Sequence, residues 1–268
     1  MTAHQLPFGV LLRRWRERRR MTQADLAFAA DSSTRHLSCL ETGKAQPSRE
    51  MIARLAERLE VPLRDQNALL LAAGFAPAYE ERSLTALEAA KAAIESILRA
   101  HKPYPAFAVD RHWNVVLSNS ALPQLYEGCS ADLLRPPVNA MRLTLHPEGM
   151  GRRIVNYAAW RAHSLSVLRR EIDARGDPVI QSLLAEVSAY PIPPFSQSAE
   201  RFEASERLAT PLRLATRLGV MSFLSTVTVF GTPNDVTLSE LALEMLFPAA
   251  DETAQIAKAM VAEQGAPS

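Results

Sequence analysis

The chain has 268 residues, 47% of them hydrophobic and 22% charged, with a net charge of +1, which is the length of two ordinary domains and the composition of a soluble globular protein rather than a disordered one. No apolar run reaches the roughly 18 to 20 residues that span a bilayer, the amino terminus lacks the pattern of a signal peptide, and Cys39 and Cys129 belong to no CxxC pair, so a cytoplasmic protein without zinc or disulfide framework is expected. Charge is uneven, since residues 1–79 hold 12 Lys and Arg against 8 Asp and Glu while the remainder holds 18 against 21, as suits a basic head on a mildly acidic body with a different task.

Residues 10–73 alternate helical patterns with turn-length breaks and predict five helices. Val10, Leu11 and Trp15 stripe the first; Thr22 caps the second, with Leu26 and Ala30 at helical spacing; Ser33 caps the third, which runs to Thr42 and stops at Gly43. Ser48 opens the fourth, striped by Met51, Ile52, Leu55 and Leu59 and stopped by Pro62, and Asp65 caps a short fifth that ends before Gly74. Residues 84–100 predict a connecting helix that stops ahead of Pro103 and Pro105.

Beyond it the pattern becomes mixed α and β. A hairpin is expected from 107–109 and 115–117, a short helix near 121–126, a long helix over 152–174, and another opened by Asp177 and Pro178. YPIPPFSQS reads as a loop, 212–215 and 223–230 as adjacent strands. Thr237 with Glu240 has the form of a capping box, predicting a helix that carries Leu238, Leu241, Met245 and Leu246, and Asp251 caps a terminal one. The domains are then 1–80, a connecting helix over 81–102, and 103–268.

Leu26, Ala27, Ala30, Leu37 and Leu40 fall where two short helices crossing steeply must touch. With MTQADLA and SSTRHLSCLETGKAQPS around them, the first domain resembles the Cro/repressor-type (XRE) helix-turn-helix regulators. The family usually has Gly followed by an apolar residue at the turn, where this chain has Asp31 and Ser32, and often Gly where it has Arg20; Asp tolerates the left-handed backbone that the turn needs. The resemblance implies that Thr34, Arg35, Ser38 and Cys39 read bases, Arg35 being suited to the O6 and N7 edge of guanine. It places Gln23, Ser33, Lys44 and Arg49 on the phosphate backbone, and it implies a structural ion pair between Arg16 and Glu41. RRWRERRR holds six Arg in eight positions, which a helix scatters around its circumference.

FAVDRHWNVVLSNSALPQLY, MRLTLHPEGMGRRIVNYAAWRAH and SFLSTVTVFGTPNDVTLSELALEMLFP give the second domain a similarity to the ligand-binding domain of MmyB-like regulators. The implied fold is a PAS-like α+β domain, an antiparallel sheet covered by helices, following the five-helix domain. Its interior would admit a small hydrophobic effector such as an acyl chain. Candidate pocket residues are Trp113, Asn119, His146, Asn156, Trp160, Phe223 and Thr226. For the aromatics the alternative is core packing; for His146 a turn hydrogen bond, and for Asn119 and Asn156 bracing of backbone turns. Arg152 and Arg153 meet either a carboxylate head or solvent.

The expected function is that of a sequence-specific DNA-binding regulator, a homodimer because paired half-sites about 34 Å apart multiply discrimination, with an effector-sensing second domain. The alternative is a regulator or antitoxin-like protein whose second domain binds a protein. With no GxGxxG, GxSxG, HExxH or paired-cysteine motif, neither enzymatic activity nor a cofactor, metal or membrane association is expected.

Overall fold

The computed structural model describes residues 6–193 and 210–265. Its elements are α1 (Phe8–Arg18), α2 (Gln23–Ala29), α3 (Thr34–Glu41), α4 (Arg49–Arg58), α5 (Leu63–Ala72), α6 (Glu88–Ala100), β1 (Ala106–Val109), β2 (Val115–Ser118), α7 (Ala140–Leu145), α8 (Tyr157–Arg175), α9 (Pro178–Ser188), β3 (Leu212–Thr216), β4 (Gly219–Val229), α10 (Val236–Ser239), β5 (Ala242–Pro248) and α11 (Asp251–Gly265). The chain forms two compact units, one of Met1–Arg82 with Thr232–Ser239, the other of Ser83–Gly231 with Glu240–Ser268. The connecting helix, α6, is thus part of the second unit, and Thr232–Ser239, the middle of the link between β4 and β5, is part of the first.

In the first unit the expected caps are in place. Thr22 and Asp25 form a complete capping box, and the hydroxyls of Ser33 and Ser48 accept from His36 N and Met51 N. The cap position of α5 is held by Pro62 rather than Asp65, which sits in the first turn, where its charge suits the helix dipole. Leu12, Trp15, Leu26, Leu37, Leu40, Ile52, Leu55 and Leu69 make the core. The first five helices are each followed by a left-handed residue, namely Arg20, Asp31, Gly43, Glu60 and Gly74. Asp31, with φ 53°, holds the α2–α3 turn as its chemistry allows. Left-handed backbone costs a side-chain-bearing residue roughly 1–2 kcal/mol, so Glu60→Gly is expected to raise the stability of this unit by about 1 kcal/mol, measured as slower hydrogen exchange of α4 amides.

In the second unit one antiparallel sheet runs in the order β2-β1-β5-β4-β3. The short helix expected near 121–126 is a 3-10 helix over Leu122–Tyr126, and the long helix starts at Tyr157 after a separate 3-10 turn, Gly151–Arg153. YPIPPFSQS lies beyond residue 193 for most of its length, outside the described residues.

The largest departure from expectation is at 237–248. Only a single helical turn forms, α10, and the following residues are the central strand β5. Asp235 rather than Thr237 opens the turn, its carboxylate accepting from Thr237 N at 2.8 Å, while Glu240 accepts from Arg111 at 3.3 Å. Along β5, Ala242, Glu244 and Leu246 alternate with Leu243, Met245 and Phe247, and β1 and β4 bond its backbone on both edges.

Candidate nucleic-acid interface and ligand cavity

α3 buries Leu37, Leu40 and Glu41 and turns its opposite side outward. Thr34 and Arg35 are exposed, Ser38 and Cys39 half-buried, and all four lie on one side of the helix at spacings of one, three and four residues. The α3 register is fixed from beneath. Arg16 Nε and Nη2 donate to the two Glu41 oxygens at 2.6 and 3.0 Å, and Arg16 Nη1 donates to Met21 O at 2.8 Å. Burial pushes the Glu41 carboxyl upward, but hydrogen bonds from Arg16 and Gln23 prevail and hold it below the ordinary carboxylate range.

The four residues expected on the phosphate backbone separate into two pairs. Ser33 and Lys44 are both exposed, Ser33 capping α3. Gln23 instead donates its amide to Glu41 Oε2 at 2.8 Å, and Arg49 donates to Ala76 O at 2.9 Å with its guanidinium 5.7 Å from the centre of the Phe75 ring. Both are tied into the fold of the unit. The basic run of α1 divides the same way: Arg16 is in the buried pair, Arg13 bonds Glu17, Arg18 and Arg19 lie over Trp15, and Arg19 also donates to Leu59 O.

In the second unit a cavity of about 500 Å³ lies between one face of the sheet and helices α7 and α8. The sheet contributes Phe107, Val115, Leu212, Ser225, Val227, Glu244 and Leu246; α7 contributes Met141 and Thr144; α8 contributes Trp160, His163, Ser164 and Val167, then Arg170, Glu171 and Arg175 in its last turns. Volume and lining are those of a small-molecule site. Burial holds the His163 imidazole below its ordinary range and pushes the Tyr126 phenol, another wall residue, well up, so neither is charged at neutral pH.

Of the seven candidate pocket residues, Trp113 and Trp160 line this cavity. Trp113 does so from a left-handed backbone, φ 67°, in the β1–β2 turn, a conformation a bulky residue adopts only under constraint. The other five do other work. Asn119 accepts from Ala106 N and Ala121 N and donates to Leu98 O and Tyr104 O; Asn156 ties Pro211 O to Arg213 N. His146 Nδ1 accepts from Glu148 N, its ring standing edge-on to Tyr190. Phe223 is fully buried core, and Thr226, one residue out of phase with Ser225 and Val227, points to the opposite face of β4. Arg153 donates to Leu125 O, and both it and Arg152 lie beside a separate shallow depression rather than in the cavity wall.

The one ionisable wall group that the sheet contributes among the described residues, Glu244, is not a candidate from sequence because its segment reads as helix. Only 6% exposed, it accepts a hydrogen bond from the Ser225 hydroxyl, and burial pushes its carboxyl above the ordinary range.

No helix among the described residues is long and apolar enough to cross a membrane. Comparison with curated proteins gives no match. Among family models, a helix-turn-helix domain matches residues 7–70, and the MmyB-like transcription regulator ligand binding domain matches residues 90–260. The second match spans most of the chain and encloses the sheet, α7, α8 and the cavity between them. The chain therefore belongs to the MmyB-like transcription regulators, carrying a helix-turn-helix domain ahead of that family's ligand-binding domain.

Proposed function

We propose that this protein is a cytoplasmic, non-catalytic, homodimeric regulator of the XRE type that reads an operator through α3 and responds to a small, largely apolar effector held in the cavity of its PAS-like unit. The observation that carries the reading is an outward face of Thr34, Arg35, Ser38 and Cys39 on a helix locked from behind by Arg16 and Glu41. Arg35 and Lys44 are exposed and form no ion pair among the described residues, so both are available to DNA. Arg35 supplies base readout and Lys44 phosphate attraction, whereas Gln23 and Arg49 act indirectly by holding the fold.

An effector works by binding one arrangement of the regulator better than another. The cavity strands β4 and β5 run directly into Thr232–Ser239 of the first unit, where Arg82 pairs with the buried Asp235 at 3.0 Å and Val236 N donates to Glu80 O at 2.8 Å. This covalent route supports effector control of the helix-turn-helix.

Selection of bound sequences from a random DNA pool, with and without a small-metabolite extract, tests the reading. A paired half-site is expected, with enrichment altered by the extract. Arg35→Ala should lose about 1–3 kcal/mol of discrimination at one base pair per half-site. Lys44→Ala should weaken all sequences alike and lower the salt slope by about one. An unchanged base preference in Arg35→Ala would refute the readout assignment.

A further inference from the structure

An ionisable carboxyl in the wall of an apolar cavity needs a reason. Glu244 stands on the central strand, with Phe107 of β1 and Val227 of β4 as its lateral neighbours. It is 6% exposed, its one side-chain partner among the described residues is the Ser225 hydroxyl, and no Lys, Arg or His there forms an ion pair with it. The other charged wall groups, Arg170, Glu171 and Arg175, belong to the last turns of α8, where Glu171 lies 3.9 Å from Arg175 and Arg170 bonds Ser166. Glu244 links no elements that β-pairing does not already join. As a packing residue it would serve better as Gln or Leu, because a buried carboxyl without a cation is a net cost.

A ligand that brings the missing positive charge turns this cost into binding energy. The rings of Phe107, Trp113, Tyr126 and Trp160 in the same cavity wall favour the same charge, since aromatic faces attract cations. A carboxylate at the same place meets repulsion or must take up a proton.

We propose that Ser225 and Glu244 form a recognition site for a basic nitrogen, so that the effector is a lipophilic amine, an apolar body bearing one protonated amino group, rather than a fatty acid. The inference rests on the small-molecule-sensing reading above and narrows it. The upward push of burial on the Glu244 carboxyl agrees with a site whose charged form is disfavoured when empty and favoured by an arriving ammonium group.

The test uses the intact protein and three probes of one chain length, dodecylammonium, dodecanol and dodecanoate, each titrated calorimetrically below its micellar concentration at pH 7. Dodecylammonium should bind at least about tenfold more tightly than dodecanoate. Glu244→Gln keeps the shape of the side chain and removes its charge, so it should fold while losing about tenfold to hundredfold in dodecylammonium affinity, with dodecanol little changed. Ser225→Ala should shift the amine in the same direction by less. Tightest binding of dodecanoate, or an amine affinity untouched by Glu244→Gln, overturns the amine assignment and leaves small-molecule sensing standing. Failure of all three probes to bind overturns both.

Discussion

Glu41→Ala is expected to destabilise the DNA-binding unit by about 3–5 kcal/mol, the cost of leaving one member of a buried ion pair without its partner. Arg16 is 8% exposed and places two guanidinium nitrogens on the Glu41 carboxylate, and no other carboxylate among the described residues pairs with it. Removing the carboxylate also strips an acceptor from Gln23. The substitution therefore loosens α1, α2 and α3 together, and hydrogen exchange should show their amides opening while those of β4 and β5 keep their protection. DNA affinity should fall for every sequence, because the helix itself, rather than one base contact, loses its footing. Loss of preference at a single base pair without loss of stability would contradict this account.

The same pair makes the unit acid-sensitive in a definite sense. Glu41 is held below its ordinary value near 4.5 in the folded chain, so the unfolded state binds its proton first as pH falls. The pair's contribution is present above about 4.5 and is lost as pH drops through the depressed folded value. Urea titrations at pH 7 and in the range below 4.5 should show Glu41→Gln weaker than the parent at pH 7, the difference narrowing in acid.

What is legible in the sequence follows from the range of the interactions involved. Thr22, Ser33 and Ser48 are readable as caps because a cap is settled within three residues, and the hairpin around residue 112 because alternation and turn lie side by side. ALEMLFP reads as helix because Thr237 and Glu240 imitate a capping box while the strand signal is only seven residues long. What decides it is pairing with β1, more than 130 positions earlier, and with β4, and that is not local information. Glu244 escapes notice for the same reason, as the most informative wall residue stands on that segment. Gln23 and Arg49 show the complementary limit. Residue type marks them as able to reach phosphate, but only the fold reveals that Glu41 and Ala76 already hold them.

Gly9→Ala should cost about 3 kcal/mol, although on helix propensity alone an alanine in α1 ought to help by about 1 kcal/mol. The sign reverses because a Cβ on Gly9 would stand 2.4 Å from Glu41 O and 2.5 Å from Leu40 O. Both are backbone atoms at the end of α3, so no side-chain rotation relieves the clash and the two helices must separate. Gly231 is the matched control, since a Cβ there meets nothing within 4 Å, and Gly231→Ala should be close to neutral. The clash at Gly9 falls on the same residue that Arg16 grips, so the two defects share one contact. Their costs should not add: with α3 already displaced by Gly9→Ala, removing the Glu41 carboxylate should take away less than it does alone, a coupling of about 1 kcal/mol or more in a double-mutant cycle. Strict additivity would mean that α1 and α3 are joined independently at the two points, and that α3 is not held as one rigid body against α1.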